Sequence, residues 1–335
     1  MYPYHKILVT GATGFLGGRI TEDLLDRQIS VVATGRNVAN GKALQQAGAQ
    51  FVEGNLLHPG FAERLVQGCD AVIHAAALSA PWGPYSQFYQ ANVLATQLLA
   101  QASLKAGVQR FVYISTPSIY FNYTHRLHIS ELEPLPRTMV NAYAATKLKA
   151  EQLVLQSALP AIALRPRAII GRGDTVIMPR VLKAWQAGKL KQVGNGQNLA
   201  SFTAVANVVQ AVQCALQAPS AALGQPFNVA NEQPDKLWQA LQQVLTLLGH
   251  TYQPRRVPYA LAYSAAGIME AIATLTKKEP LLTRHGVGTL YYSMTLDIDR
   301  AKTLLHYQPM QSTADALQEF VHWYQNRNIT EKHSL

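Results

Sequence analysis

Lys6-Ile7-Leu8-Val9-Thr10-Gly11-Ala12-Thr13-Gly14-Phe15-Leu16-Gly17 decides the fold: a short apolar run, a glycine-punctuated turn, then the start of a helical pattern. Each glycine has its own physical task in such a turn. Gly11 permits the reversal, Gly14 lets backbone N–H groups approach a pyrophosphate, and Gly17 lets the helix pack closely on the strand. The helix start adds a partial positive charge. Glycines at this spacing mean little alone. With a strand before them and an amphipathic helix after, they predict a dinucleotide site. Its expected contacts are Gly11, Thr13, Gly14, Phe15, Leu16 and Gly17.

Working outward, strand patterns fall at 6–10, 30–35, 50–53, 71–74, 110–115, 161–165 and 227–230. Helical patterns lie near 15–27, 41–47, 62–67, 85–106 and 141–156. Short Val- and Ile-rich runs separated by helices predict α/β architecture with a doubly wound parallel Rossmann sheet of about seven strands. After Pro166 the pattern changes. Residues 171–200 are glycine-punctuated with one helix at 176–187, and from Glu232 onward the text is mostly helical. Residues 1–170 plus about 200–230 are therefore expected to bind the dinucleotide. Residues 171–199 plus 231–330 are expected to form a smaller, mostly helical C-terminal substrate lobe above the strand ends.

Composition narrows the partners. Among 335 residues, 48% are hydrophobic and only 14% charged, which excludes wholesale disorder. A net charge of +10 favours an anionic partner: a phosphorylated cofactor, an acidic membrane surface or nucleic acid. The basic residues are scattered rather than gathered into a run, so no nucleic-acid partner is expected. Cys69 and Cys214 make no disulfide framework, and His125 and His128 are too few ligands for zinc, so no metal is expected. The start MYPYHKILVTGATG enters a strand at once, which predicts a cytoplasmic chain without a signal peptide. The stretch 258–276 contains Glu270 and is marginal against the ~20 apolar residues of a membrane span. With Lys277 and Lys278 beside it, peripheral contact with an anionic membrane is a second expectation.

The spacing Gly-x-x-Gly-x-x-Gly resembles the extended short-chain dehydrogenase/reductase family, and the resemblance runs over about residues 5–325. It implies a nicotinamide cofactor. NAD enzymes usually place an acid at the end of the second strand to hold the ribose hydroxyls. Here Gly35 opens space and Arg36 follows, and a guanidinium suits a 2′-phosphate. NADP(H) is the preferred expectation and NAD(H) the alternative. Gly54-Asn55-Leu56 stands where the family commonly has Gly-Asp-Leu, and the Asn carbonyl can still accept from an adenine amino group. The resemblance also carries Leu56, Ala75, Ala76, Ala77 and Pro166 over as cofactor contacts.

Tyr143-Ala144-Ala145-Thr146-Lys147 holds the chemistry. A Tyr and a Lys four apart share one helix face. A tyrosine has a reference pKa of about 10, and a neighbouring ammonium is expected to bring it toward the working range. Tyr143 then exchanges a proton with a ketone or alcohol, and by resemblance Lys147 also holds the nicotinamide ribose. In Ile114-Ser115-Thr116-Pro117-Ser118-Ile119-Tyr120, the family's substrate-facing hydroxyl aligns with Thr116, with Ser115 as the fallback. Asn92 resembles the family's Asn that anchors a water or backbone near the Lys, completing the expected catalytic set.

Segments around Trp82-Gly83-Pro84-Tyr85, Leu164 to Gly171, Gly194 to Asn198 and Phe202 to Val208 resemble 3β-hydroxysteroid dehydrogenase-like proteins. That subgroup includes sterol 3β-dehydrogenases and 2-alkyl-3-oxoalkanoate reductases. The resemblance implies hydride transfer between a ketone and a secondary alcohol on a bulky apolar small molecule. Trp82, Tyr85 and Arg167 are the expected substrate contacts. Tyr259, Leu261, Ala262, Tyr263, Ile268, Met269, Leu281, Leu282, Tyr291 and Tyr292 suggest an apolar lobe without a charged partner for a diphosphate. The alternatives are a nucleotide-sugar epimerase or dehydratase of the same fold, and a non-catalytic NADP-binding sensor. A homodimer through long helices is also implied by the resemblance.

Overall fold

The computed structural model of the chain describes residues 3–333, with side chains through residue 327. Seven parallel strands form the central sheet: β1 (Lys6–Thr10), β2 (Ser30–Gly35), β3 (Gln50–Glu53), β4 (Ala71–His74), β5 (Arg110–Ile114), β6 (Ala161–Pro166) and β7 (Gln225–Val229). Their spatial order is β7-β6-β5-β4-β1-β2-β3. Leu8 of β1 pairs with Val32 on one side and Val72 on the other. The chain winds outward from β1 in both directions, so the crevice of a doubly wound sheet lies beyond the β1 and β4 ends.

Strand alternation sorts the two faces. Ile7, Val9, Val31, Ala33, Ile73 and Val112 pack with Ile20 and Leu24 of the Phe15–Asp26 helix and Val212 and Leu216 of the Val205–Gln217 helix. The intervening Leu8, Val32, Val72 and Phe111 pack with Leu65, Leu99 and Val154 on the opposite side. Both faces are covered, which is why the strands read as nearly continuous apolar runs.

A third core lies in the second lobe, built by Trp238, Leu241 and Val244 of the Leu237–Leu247 helix, with Ala266, Val287 and Phe320. The chain after Glu232 is mostly helical, as expected, and short strands that the sequence did not announce are added to it. A four-stranded sheet joins Asp235–Lys236, Leu199–Ala200, Met294–Leu296 and Arg126–Ile129 in that order. Strands of two to four residues are too short to show a period in sequence, and their pairing is set by tertiary contacts. The helical run from Tyr85 to Lys105 also differs from a plain helix, because Tyr89–Leu94 is a π-helical turn. Such a turn re-aims side chains, and Asn92 sits on it.

Candidate active site

A cleft of about 910 Å³ opens at the carboxyl ends of the strands. Every residue expected to touch a cofactor lines it: Gly11, Thr13, Gly14, Phe15, Leu16, Gly17, Arg36, Asn55, Leu56, Ala75, Ala76, Ala77, Tyr143, Lys147 and Pro166. Gly11 has φ +69°, and a Cβ there would lie 2.7 Å from the Ala76 nitrogen. A Cβ on Gly17 would strike the Gly11 carbonyl oxygen. The Phe15–Asp26 helix has Gly14 as N-cap, no side-chain cap and no acid in its first turn. Its first N–H groups therefore have no intrahelical acceptor and form a cradle fitted to a pyrophosphate.

At the adenosine end Gly35 lines the cleft, and a Cβ there would collide with the Thr13 side chain beside it. Arg36 is exposed at the cleft edge and forms no ion pair among the described residues. The Asn55 Oδ1 accepts from the Leu57 backbone N–H at 3.1 Å, which leaves its second lone pair and its amide N–H groups for the cleft.

The Ala142–Leu155 helix carries the reactive pair. Asn141 caps it, accepting from the Ala144 N–H at 2.8 Å. Tyr143 and Lys147 follow one turn apart and both reach the cleft. Lys147 is buried; its Nζ donates to the Ile114 carbonyl at 2.6 Å and lies 4.0 Å from the Tyr113 ring centre. Burial lowers its pKa to about 7, partly opposed by Glu151. Tyr143 is pushed up by burial, and the neighbouring Thr116 hydroxyl opposes the rise. The expected lowering by an adjacent ammonium is thus corrected. The Lys147 charge is spent on a carbonyl and a ring, and desolvation of the phenolate dominates.

Thr116 is buried beside this pair and lines the cleft. Its hydroxyl donates to Ser118 Oγ at 3.0 Å and accepts from the Ser118 N–H, starting the Pro117–Tyr120 turn. Ser115 also lines the cleft, and its buried hydroxyl has no hydrogen-bond partner among the described residues. Asn92 stands apart from the cleft. Its Oδ1 accepts from the Leu78 N–H at 2.7 Å, and its Nδ2 donates to Leu78 O and Thr146 Oγ1, each at 3.1 Å. It ties the loop after β4 to the Tyr143 helix.

Sequence reasoning passed over the support beneath this pair. His74 bridges Thr10 Oγ1 at 2.6 Å and Thr96 Oγ1 at 2.9 Å. Burial first, and Lys147 second, lower its pKa to about 3, so it stays neutral. Glu151, two turns beyond Tyr143, holds Arg165 of β6 through two bonds of 2.9 and 2.5 Å. Arg165 also donates to the Tyr120 hydroxyl, which donates to Asn228 of β7 at 3.0 Å. The signal available was a charge on the same face as Tyr143 and Lys147, at i+8.

A second cavity of about 510 Å³ adjoins, and Tyr143 lines both. Trp82, Phe88, Tyr123, Met139, Val140 and Tyr263 give its walls an apolar character. Two expected substrate contacts are not there. Tyr85 is 51% exposed, pairs with the Tyr89 ring and lines neither cavity. Arg167 is buried, its Nη1 donates to the Ser201 carbonyl at 2.9 Å, and burial lowers its pKa to about 10. Of the apolar lobe residues, Tyr263 reaches the cavity. Tyr259, Tyr291 and Tyr292 form an aromatic cluster outside its lining, and Leu261, Ile268 and Leu281 face solvent. Nor is the cavity free of charge, because Glu270 and Arg284 meet in it at 2.6 Å. Helix periodicity alone does not show which of two apolar stripes faces inward.

A glycine-turn cleft on a doubly wound sheet, with a Tyr–Lys helix in its wall, defines a Rossmann enzyme of the short-chain dehydrogenase/reductase type. A model of the NAD dependent epimerase/dehydratase family matches residues 7–230, and the chain belongs to that family. It is 33% identical over 322 residues to a 2-alkyl-3-oxoalkanoate reductase of Stenotrophomonas maltophilia, covering 93% of this chain and 97% of that one. It is 30% identical over 337 residues to the decarboxylating sterol-4-alpha-carboxylate 3-dehydrogenase of Mus musculus, covering 94% and 90%. In fold it is similar to UDP-glucuronic acid 4-epimerase from Bacillus cereus in complex with NAD, with a TM-score of 0.75 at 23% identity over 96% of this chain and 99% of that one.

Proposed function

We propose that the protein is an NADP(H)-dependent oxidoreductase that interconverts a ketone and a secondary alcohol on a bulky, largely apolar substrate. One observation carries this reading: Tyr143 stands in the wall shared by the dinucleotide cleft and the aromatic cavity. The two similar relatives named above, a 3-oxoalkanoate reductase and a sterol 3-dehydrogenase, support the substrate class. Residues 1–170 plus about 200–230 hold the cofactor and 171–199 plus 231–330 most of the substrate, although Trp82, Phe88 and Val140 also line the second cavity.

The cradle at Gly11–Gly17 would hold the pyrophosphate, Arg36 the 2′-phosphate and Lys147 the ribose. A nicotinamide dinucleotide held there would supply the hydride that a carbonyl carbon accepts. Tyr143 gives its hydroxyl proton to the carbonyl oxygen, and Thr116 steadies that oxygen as charge develops on it. Hydride and proton together convert ketone to alcohol. Burial raises the Tyr143 phenol, which favours the protonated form that donates to a carbonyl oxygen. Consumption of NADPH across 3-oxoacyl, steroid and nucleotide-sugar substrates tests the reading. Turnover confined to nucleotide sugars overturns it.

The second lobe has a surface that suits such substrates. The Tyr259–Thr276 helix buries Ala262, Ala266, Glu270 and Ala273, and turns Leu261, Ile268, Ile272 and Leu275 to solvent. Lys277 and Lys278 follow. Among the described residues no helix is long and apolar enough to cross a membrane. We assign the exposed stripe to an anionic bilayer surface, where apolar burial and lysine–lipid attraction add.

A further inference from the structure

The turn that carries Thr116 presents a second hydroxyl to the cleft, on Ser118, and the proposed reaction gives it no part. Two bonds join the pair. The Ser118 backbone N–H donates to Thr116 Oγ1 at 3.2 Å, and the two side-chain oxygens lie 3.0 Å apart. The backbone around them is firmly set. The Phe121 N–H closes the Pro117–Tyr120 turn onto the Ser118 carbonyl at 3.2 Å, and Ile119 and Tyr120 are fully buried. At the end of the turn the Tyr120 hydroxyl accepts from Arg165 and donates to Asn228. With the frame fixed, the freedom left to this pair is the direction of its hydroxyl protons.

A hydroxyl has one proton and two lone pairs. On Thr116 the Ser118 N–H fills one lone pair, so the proton and the second lone pair decide what the residue can do. While Thr116 donates to Ser118 Oγ, its proton is withheld from a ligand oxygen. A bond between two hydroxyls runs equally well the other way. Once the Ser118 hydroxyl turns to donate, both lone pairs of Thr116 are filled and its proton is free for the cleft, which Thr116 also lines. A hydroxyl that accepts two bonds is the more strongly polarised donor. Thr116 is only 5% exposed and has little solvent to replace a lost partner, whereas Ser118 is half-buried and opens on the cleft. The Thr116 hydroxyl also neighbours Tyr143, where it opposes the rise that burial causes.

We propose that Ser118 is a positioning residue acting through Thr116: its hydroxyl accepts from Thr116 in the resting protein and donates to it when a substrate oxygen enters, which turns the Thr116 proton toward that oxygen. This rests on the ketone-reductase reading, in which Thr116 steadies the carbonyl oxygen. The test is a double-mutant cycle of wild type, Ser118→Ala, Thr116→Ala and the double variant. It follows NADPH consumption with a long-chain 3-oxo ester, and NADPH binding without substrate by the nucleotide's fluorescence. Ser118→Ala keeps the backbone bond to Thr116 and removes only the hydroxyl. Its kcat should fall roughly threefold to tenfold, as loss of one hydrogen bond between neutral groups implies. The KM for the ester and the affinity for NADPH should stay within about twofold, because the bond is made only as the oxygen gains charge. In the Thr116→Ala background the same substitution should change kcat by less than about twofold, since the hydroxyl it acts through is gone. Equal losses in the two backgrounds overturn the assignment, because Ser118 then acts on its own. An unchanged kcat in Ser118→Ala overturns it too, as does a loss of NADPH affinity as large as the loss of kcat. If Thr116→Ala reduces the ester like the wild type, or the wild type does not reduce it, the reading of Thr116 fails first and takes this inference with it.

Discussion

The dinucleotide cleft and the aromatic cavity share Tyr143 but are built by different rules. The cleft is made largely of backbone at fixed distances from one strand end: Gly11 to Gly17, then the ends of β2, β3 and β4. Its donors are N–H groups whose positions follow from a turn and a helix start. The aromatic cavity gathers side chains from about residues 80–88, 122–143 and 263–285, brought together by packing between distant helices and loops. One site is local geometry; the other is tertiary arrangement. Spacing in sequence therefore points to the residues that line the cleft far better than to those that line the cavity, from which Tyr85 and Arg167 are absent.

If Tyr143 is the hinge between the two regions, its removal should produce the largest effect. Tyr143→Phe keeps the ring and deletes the proton, so turnover should fall by about 10² or more with NADPH affinity nearly unchanged. Near-normal turnover would separate the two regions and break the account. A smaller effect is expected within the cleft. Arg36→Ala should raise the KM for NADPH by roughly tenfold or more and leave NADH almost unaffected, as loss of charge-assisted bonds to a phosphate implies. Equal loss with both nucleotides would remove the NADP(H) assignment.

On the side of the lobe, Lys277→Glu with Lys278→Glu should weaken binding to anionic vesicles several-fold for each lysine, at about 1 kcal/mol per residue. Flotation that is identical for both proteins removes the bilayer surface. The smallest expected effect is on stability. The folded-state pKa of Lys147 is about 7, below its ordinary 10.5. Between these values the unfolded chain binds a proton that the native chain has shed, so native stability rises with pH across that window and is lowest below pH 7. Lys147→Met should therefore melt a few degrees higher than the wild type at pH 6, with the gap closing toward pH 10. Equal melting at both pH values contradicts a destabilising buried charge.

Much of the fold was legible because strands buried on both faces write themselves as apolar runs, and the expected strand positions match β1 to β4. The short strands at Arg126–Ile129 and Met294–Leu296 were not, because a period cannot be read in so few residues. In the site, Tyr143, Lys147 and Thr116 were legible from spacing and resemblance. The behaviour of Lys147 was not. Its partners, the Ile114 carbonyl and the Tyr113 ring, lie on β5 and become neighbours only when helix and strand pack. Glu270 read as an interruption of an apolar stretch, whereas it faces inward and pins Arg284.

The central claim, that Tyr143 joins a nicotinamide cleft to a cavity for an apolar ketone, is tested most directly by kcat/KM along a series of 3-oxo esters of increasing chain length, with NADPH in excess and a nucleotide sugar measured beside them. Each buried methylene contributes about 0.8 kcal/mol, so kcat/KM should rise roughly threefold to fourfold per carbon until the cavity fills. A flat or falling profile, with robust turnover of the nucleotide sugar, would contradict it.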